Sequence, residues 1–208
     1  MLIFLDFDGV LHPEHDNEPT PAEDIFCHLP RFEAVMREFP MVEIVISSMW
    51  RYQFTFDQLR ARFSPDIAAR IIGTTPQTER IDGKYLPARR EGEILGWLAA
   101  TGRNDEPWIA LDDAAWQFAQ HRDRLVACTW HVGFDDQAAM LLRTELNSLF
   151  ESCSLMQQKR ARQKQDRAEV YTGIRTEESM RLFSREAIKE VQIEYRDVDY
   201  GIEGEETK

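Results

Sequence analysis

Two aspartates near the amino terminus, Asp6 and Asp8, are separated by one residue and followed by Gly9. They come directly after an apolar run, residues 2–5, of the kind that forms a buried strand of a parallel sheet. Carboxylates at a buried strand end are costly unless a positive partner joins them. A hard divalent cation such as Mg²⁺ is the simplest partner, because it prefers carboxylate oxygens. The spacing therefore predicts a metal site at the carboxyl end of this strand, where open α/β sheets bind their ligands.

Polar side chains also follow two later apolar runs. Ser47 and Ser48 end one of them, and Asp112 and Asp113 end the other. The carboxyl ends of parallel strands share one edge of a sheet, so we expect these side chains to meet the first two aspartates. Arg90 stands at the predicted start of a helix, where backbone N–H groups favour an anion and a guanidinium adds a bidentate partner for phosphate. Carboxylates, a hydroxyl, a cation site and an anion site at one edge suit phosphoryl transfer.

The elements that would position these residues alternate along the chain. Apolar runs predict strands over residues 2–5, 42–46, 70–73, 108–111 and 125–128. Helical periodicity predicts helices over residues 32–39, 56–63 and 90–100 and a further one after residue 133, with Leu95 and Leu141 on their buried faces. This alternation predicts an α/β fold, a three-layer α/β/α Rossmann-like sheet of about five parallel strands with right-handed crossovers.

The character of the chain changes near residue 151. We expect one domain over residues 1–150 and a charged, mainly helical C-terminal extension over residues 151–208, with a loose acidic end. A basic cluster within residues 159–167 is interpreted as a solvated helix face, with guidance of a phosphate backbone as the alternative. Residues 12–41 and 52–89 already hold ordinary helices and strands, so no sizeable cap domain is expected over the site.

Composition limits the classes of partner and compartment. The chain has 208 residues and a net charge of -12, which argues against a broad nucleic-acid or anionic membrane surface. Its three cysteines include no C-x-x-C pair and indicate a reducing compartment. The aspartates inside the first apolar run exclude a signal peptide there, and no run is long enough to span a membrane. A cytoplasmic protein is predicted, with its oligomeric state open and the extension as a candidate interface.

Three segments resemble the motifs of the haloacid-dehalogenase-like (HAD) superfamily of phosphohydrolases. Residues 6–11, Asp-Phe-Asp-Gly-Val-Leu, are similar to its first motif, residues 44–47 to its second, and residues 109–113 to its fourth. More narrowly, residues 45–51, 90–98 and 108–113 resemble the small HAD domains associated with Swiss Army Knife RNA repair proteins. The resemblance covers roughly residues 1–150.

The resemblance implies roles for the site residues. Asp6 would be the nucleophile that forms an aspartyl-phosphate, and Asp8 would protonate the leaving oxygen and then activate water. Arg90 would neutralise the developing phosphoryl charge. The implied phosphate contacts are Gly9, Ser47, Ser48 and Arg90, and the implied Mg²⁺ site is formed by Asp6, Asp8 (through its backbone carbonyl), Asp112 and Asp113.

Some assignments stay open at this point. Ser47 is preferred over Ser48 as the phosphate hydroxyl, because Ser48 can instead cap the next helix. Arg90 is preferred over Arg89 and Lys84 as the basic residue, because it keeps the R-x-x-E-I spacing of the resemblance, although Lys84 lies in a loop that can reach the site.

The residues after Ser48 also allow two interpretations. Trp50 and Arg51 are candidate substrate contacts, with an aromatic ring available to stack on a base. Packing of Trp50 into the core is at least equally compatible with the sequence. His12 and His15 can line the pocket mouth, but without a third ligand they are expected to be solvated rather than to bind metal.

The leading hypothesis is a Mg²⁺-dependent phosphomonoester hydrolase, with a nucleotide or a nucleic-acid terminal phosphate as its substrate. A phosphatase for a small metabolite or a phosphoprotein is the first alternative. A non-catalytic phosphate-binding or protein-interaction module is the second, and it is disfavoured because all the implied catalytic side chains are present.

Overall fold

The fold is seen in a computed structural model, which describes residues 1–16, 19–77 and 89–174. Its strands are β1 (Leu2–Leu5), β2 (Glu43–Ile46), β3 (Ile71–Thr74), β4 (Trp108–Asp112) and β5 (Leu125–Ala127). They form one sheet in the order β3-β2-β1-β4-β5, and all four pairings are parallel. The predicted five-stranded parallel sheet is confirmed.

The helices are α1 (Leu29–Glu38), α2 (Phe56–Arg60), α3 (Pro65–Ala68), α4 (Arg89–Thr101) and α5 (Asp136–Ile174), with 3-10 turns at Met49–Tyr52, Ala115–Gln117 and Arg122–Arg124. The helix predicted over residues 56–63 ends earlier, at Arg60. Pro65, which was expected only to close it, instead starts the separate short helix α3. No helix in the described part of the chain is long and apolar enough to cross a membrane.

Side chains of β1 alternate between two cores, one on each face of the sheet. Ile3 and Leu5 belong to the larger core, which also holds buried side chains of α1 and α5. Leu2 and Phe4 point to the other face, where α4 and the aromatic ring of Trp108 pack. Because both faces are covered, the strands have continuous apolar sequences rather than the alternation typical of a half-exposed sheet.

Two predicted core positions are wrong. Leu95 of α4 is 37% exposed, and Trp97 is packed in the core on that helix. Leu141 of α5 is 41% exposed, while Leu142 is buried. The buried face of α4 holds Ile94, Trp97 and Leu98 beside its polar residues, and that of α5 holds Ala138, Ala139, Leu142 and Leu146, so each buried face is turned away from the predicted leucine.

The contacts within the chain divide it into two units, Met1–Glu151 and Ser152–Lys208. Helix α5 ends at Ile174, and the basic side chains Lys159 and Arg167 are exposed on it. The predicted role of this extension as an interface stays a prediction. Lys84 and the acidic end of the chain lie outside the described residues.

Candidate active site

The register of the sheet brings three polar side chains together at the ends of neighbouring strands. Leu5 of β1 pairs with Ile46 of β2 on one side and with Leu111 of β4 on the other. The next residue of each strand is therefore Asp6, Ser47 or Asp112, and all three are buried. The chain changes direction across the sheet between β1 and β4, and open α/β sheets bind ligands at such a switch point.

Arg90, in the first turn of α4, holds these side chains together. Its Nη2 donates to Asp6 Oδ2 at 2.6 Å, and its Nε lies 3.1 Å from Asp112 Oδ2. Its Nη1 donates to Ser47 Oγ at 3.4 Å. The adjacent Arg89 instead donates to Glu93 Oε1. Of the two arginines, Arg90 is therefore the one that the fold delivers to the carboxylates.

Three carboxylates surround this one arginine. Oxygens of Asp6, Asp112 and Asp113 lie within 4.8 Å of one another. Burial raises the pKa of Asp112 and of Asp113 to about 7, and it also raises the pKa of Asp6, although the charge of Arg90 opposes the shift. With pKa values of about 7, Asp112 and Asp113 are partly protonated near neutral pH unless a further positive charge joins Arg90.

This donor set fits a hard divalent cation. Two oxygens bound to one Mg²⁺ at about 2.1 Å are at most about 4.2 Å apart, so the three carboxylates need only small movements to share an ion. Among the described residues, the side chain of Asp8 is not part of this cluster. The implied contact of Asp8 with the metal through its backbone carbonyl stays a prediction.

Gly9 allows Asp113 to approach the end of β1. Its φ is +65°, a conformation that other residues rarely adopt, and a Cβ placed on it would be 2.6 Å from Cγ of Asp113. The glycine is therefore required by the backbone and by the close carboxylate. Its implied contact with phosphate stays a prediction.

Asp8 is held from two sides. Trp50 Nε1 donates to Asp8 Oδ1 at 2.8 Å, and His12 Nε2 lies 3.1 Å from the same oxygen. Within the described residues both contacts of Asp8 go to Oδ1, and its side chain is 39% exposed. One carboxyl oxygen is thus fixed, while the other stays available to a substrate.

The two residues that fix Asp8 were not assigned this function from the sequence. His12 is 1% exposed and packs against Phe26 and Trp50, so the expectation that it is solvated was wrong. His15 is partly exposed. Trp50 was expected either to stack on a substrate or to pack in the core. It packs against Phe7, Phe26 and Phe54 and also uses its indole N–H on Asp8.

Ser48 and Arg51 shape the turn after β2. Ser48 Oγ accepts from the backbone N–H of Trp50, so it caps the 3-10 turn, as its alternative interpretation proposed. Arg51 donates to the backbone carbonyls of Ser47 at 3.1 Å and Ser48 at 2.6 Å, and to Glu93 Oε2 at 2.5 Å.

The Arg51 and Glu93 side chains are each 2% exposed, and burial lowers the pKa of Arg51. The structure therefore does not place Arg51 at an open surface for substrate. It places the guanidinium under the serine turn, where it links the end of β2 to α4. The family resemblance includes Glu93 as the acid of the R-x-x-E-I segment, but it does not identify the partner of Glu93, which lies 42 residues away.

Comparison with protein families gives a match over residues 2–139 to a family described as the HAD domain in Swiss Army Knife RNA repair proteins. The matched segment contains all five strands and every acid of the cluster. Comparisons with curated proteins and with solved structures gave no match.

Proposed function

Because this chain belongs to the family of HAD domains in Swiss Army Knife RNA repair proteins, we propose that it is a Mg²⁺-dependent phosphomonoester hydrolase. One observation carries the proposal: buried Asp6 contacts Arg90 at the end of β1 and shares a cluster of acids with Asp112 and Asp113. A carboxylate held by an arginine beside further acids suits covalent phosphoryl transfer, in which positioning and charge neutralisation dominate.

In the first step of the proposed reaction, a carboxylate oxygen of Asp6 bonds to phosphorus as the bond from phosphorus to the leaving oxygen breaks. Asp8 donates a proton to that leaving oxygen. In the second step, Asp8 takes a proton from water, whose oxygen bonds to phosphorus. The bond from phosphorus to Asp6 then breaks, and inorganic phosphate leaves with both aspartates restored.

The neighbours of Asp6 and Asp8 support these roles. Arg90 donates to both Asp6 and Ser47, so a guanidinium and a hydroxyl lie where they would offset charge on the phosphoryl oxygens. Trp50 and His12 fix one oxygen of Asp8 and leave the other for proton transfer. Bound Mg²⁺ would add positive charge at the phosphoryl group, and Asp6, Asp112, Asp113 and the Asp8 carbonyl would hold it.

We propose a nucleotide or nucleic-acid terminal phosphate as the substrate. The family relationship supports this, and so does the fold, because no separate cap domain interrupts the sheet within the described residues. An uncapped site admits the end of a long chain. We also propose a cytoplasmic location, which suits the free thiols of Cys27, Cys128 and Cys153.

The test is hydrolysis of a generic aryl phosphate by the wild type and by Asp6→Asn, with Mg²⁺ and with EDTA. We expect Mg²⁺-dependent release of phosphate by the wild type and none by the variant. The control is Asp105→Asn, which makes the same change at an exposed turn before β4 and should keep activity. A phosphorylated peptide containing Asp6, found by mass spectrometry after an acid quench, would identify the covalent intermediate.

Two results would refute the proposal. Activity that survives in Asp6→Asn would exclude the covalent mechanism, and phosphate binding without hydrolysis would favour the non-catalytic module. The substrate class is then tested by measuring how well different phosphate esters compete with the aryl phosphate. The competitors are 3′-phosphorylated and 5′-phosphorylated oligonucleotides, free nucleotides, a phosphopeptide and a sugar phosphate. Preference for either of the last two would replace the nucleic-acid assignment by one of the other phosphatase alternatives.

A further inference from the structure

A cleft of about 190 Å³ opens beside the acid cluster. Its described lining residues are Met49, Arg89, Arg90, Glu93, Trp116 and Gln117. They come from the turn after β2, the first turns of α4 and the turn after β4, so the cleft is formed by the segments that also carry the site. Arg90 lines the cleft and donates to Asp6, which places the cleft next to the proposed nucleophile.

The apolar wall of the cleft is exposed. Trp116 is 64% exposed and Met49 is 38% exposed, whereas Trp97 and Trp108 are buried in the core. Single exposed apolar side chains are common on proteins. Here two large ones line one cleft beside reactive carboxylates, and Trp116 makes no ring contact within the described part of the chain. A largely exposed indole that lines a cleft next to the proposed nucleophile indicates a ligand that covers it.

The size and polarity of the cleft restrict that ligand. Pockets for whole drug-sized molecules measure about 300–1,000 Å³, so this cleft accommodates one flat group and leaves the rest of a substrate in solvent. The amide of Gln117 can both donate to and accept from the edge of a ring. A phenyl or aliphatic group of a phosphopeptide would leave that amide without a partner, whereas a nucleobase has a π face and a polar edge.

We propose that this cleft binds the unpaired base of the nucleotide that carries the scissile phosphate, with Trp116 as the stacking platform and Met49 as a second apolar contact. Trp116 is then a specificity-determining residue that makes the enzyme prefer a terminal phosphate next to an intact base. The inference rests on the proposed phosphatase function and adds a recognition element to it.

The experiment uses the full chain and pairs of phosphorylated oligonucleotides, with the phosphate at the 3′ or the 5′ end. The members of each pair are identical except that the phosphate-bearing nucleotide is intact or abasic. The readout is the ratio of kcat/KM for the intact end over the abasic end. Loss of the stacking contact between a base and an aromatic ring should lower this ratio by about 5- to 150-fold in Trp116→Ala. Trp116→Phe should keep most of the preference.

Trp130→Ala is the matched control, because it removes another exposed indole that does not line the cleft. It should leave the ratio unchanged. The inference is overturned if the wild type shows no preference for the intact end, or if Trp116→Ala lowers kcat/KM equally for both ends. Wild-type activity on other phosphate esters, without activity on either oligonucleotide, would overturn it while leaving a phosphatase. A wild type that hydrolyses no phosphate ester with Mg²⁺ would refute the proposed function itself.

Discussion

The replacement Arg90→Met tests the charge balance of the site directly. Arg90 is shared by the buried carboxylates of Asp6 and Asp112, at 2.6 and 3.1 Å, so its loss leaves two buried acids facing each other. Removing one partner of a buried ion pair costs about 3–5 kcal/mol. At about 2–4 °C per kcal/mol for a chain of this size, the melting temperature should fall by roughly 6–20 °C.

The cost should depend on pH. Burial raises the pKa of Asp6, and that of Asp112 to about 7, while Arg90 opposes both shifts. Without Arg90 these pKa values rise further, so the folded variant holds protons that its unfolded chain releases. When folding raises the pKa of a carboxyl group, the free energy of unfolding decreases as the pH increases toward that raised pKa. The free energy of unfolding of the variant should therefore decrease between about pH 5.5 and pH 8. The fall is up to about 1.4 kcal/mol per pH unit for each such proton.

The assay is urea denaturation followed by tryptophan fluorescence in EDTA, at about pH 5.5 and about pH 8. Arg143→Met is the matched control, because Arg143 pairs with Glu38 at 2.7 Å on the surface, where the loss should stay below about 1 kcal/mol at both pH values. A loss below about 1 kcal/mol for Arg90→Met at pH 8, or one that does not decrease at pH 5.5, would refute the reasoning.

Three further predictions concern the metal and the general acid. Gly9→Ala should cost about 1–2 kcal/mol and lower Mg²⁺ affinity in calorimetry, because a Cβ at φ +65° displaces Asp113. The control is Gly92→Ala, which should not destabilise the protein because a Cβ at this helical position meets open space. Equal Mg²⁺ affinity in the two variants would contradict the argument. Mg²⁺ should raise the melting temperature more at pH 8 than at pH 6, because burial raises the pKa of Asp112 and of Asp113 to about 7 and binding needs both deprotonated. An equal rise at the two pH values would exclude them as ligands. Trp50→Phe keeps a ring but removes the hydrogen bond to Asp8, so kcat should fall roughly tenfold or more with little change in KM, and an unchanged kcat would exclude this positioning role.

The sequence predicted the sheet and the meeting of its polar ends because those features depend on local patterns. The apolar run before Asp6 defines a strand by itself, and parallel pairing then brings it beside Ser47 and Asp112 whatever the side-chain details. The family resemblance supplied Arg90, which periodicity alone could not separate from Arg89. That choice depends on which side of α4 faces the strand ends.

Contacts between distant side chains were not predictable. Trp50 reaches Asp8 over 42 residues, and Arg51 reaches Glu93 over the same separation, so neither pair leaves a local pattern. His12 was misjudged because its burial depends on the rings of Phe26 and Trp50, which come from other segments.

The central position of β1 has a consequence for folding. Leu2 pairs with Glu43 and also with Trp108, which lie 41 and 106 residues further along the chain. The contact with β4 therefore closes a much longer loop and is the slower one to form. Asp6 meets Asp112 only at that stage, so the repulsion between the acids opposes the pairing of β1 with β4 and not that of β1 with β2. During synthesis, a nascent chain that ends before β4 can pair β1 with β2 but cannot complete the acid cluster, so Mg²⁺ should stabilise only chains that include β4 and Asp113.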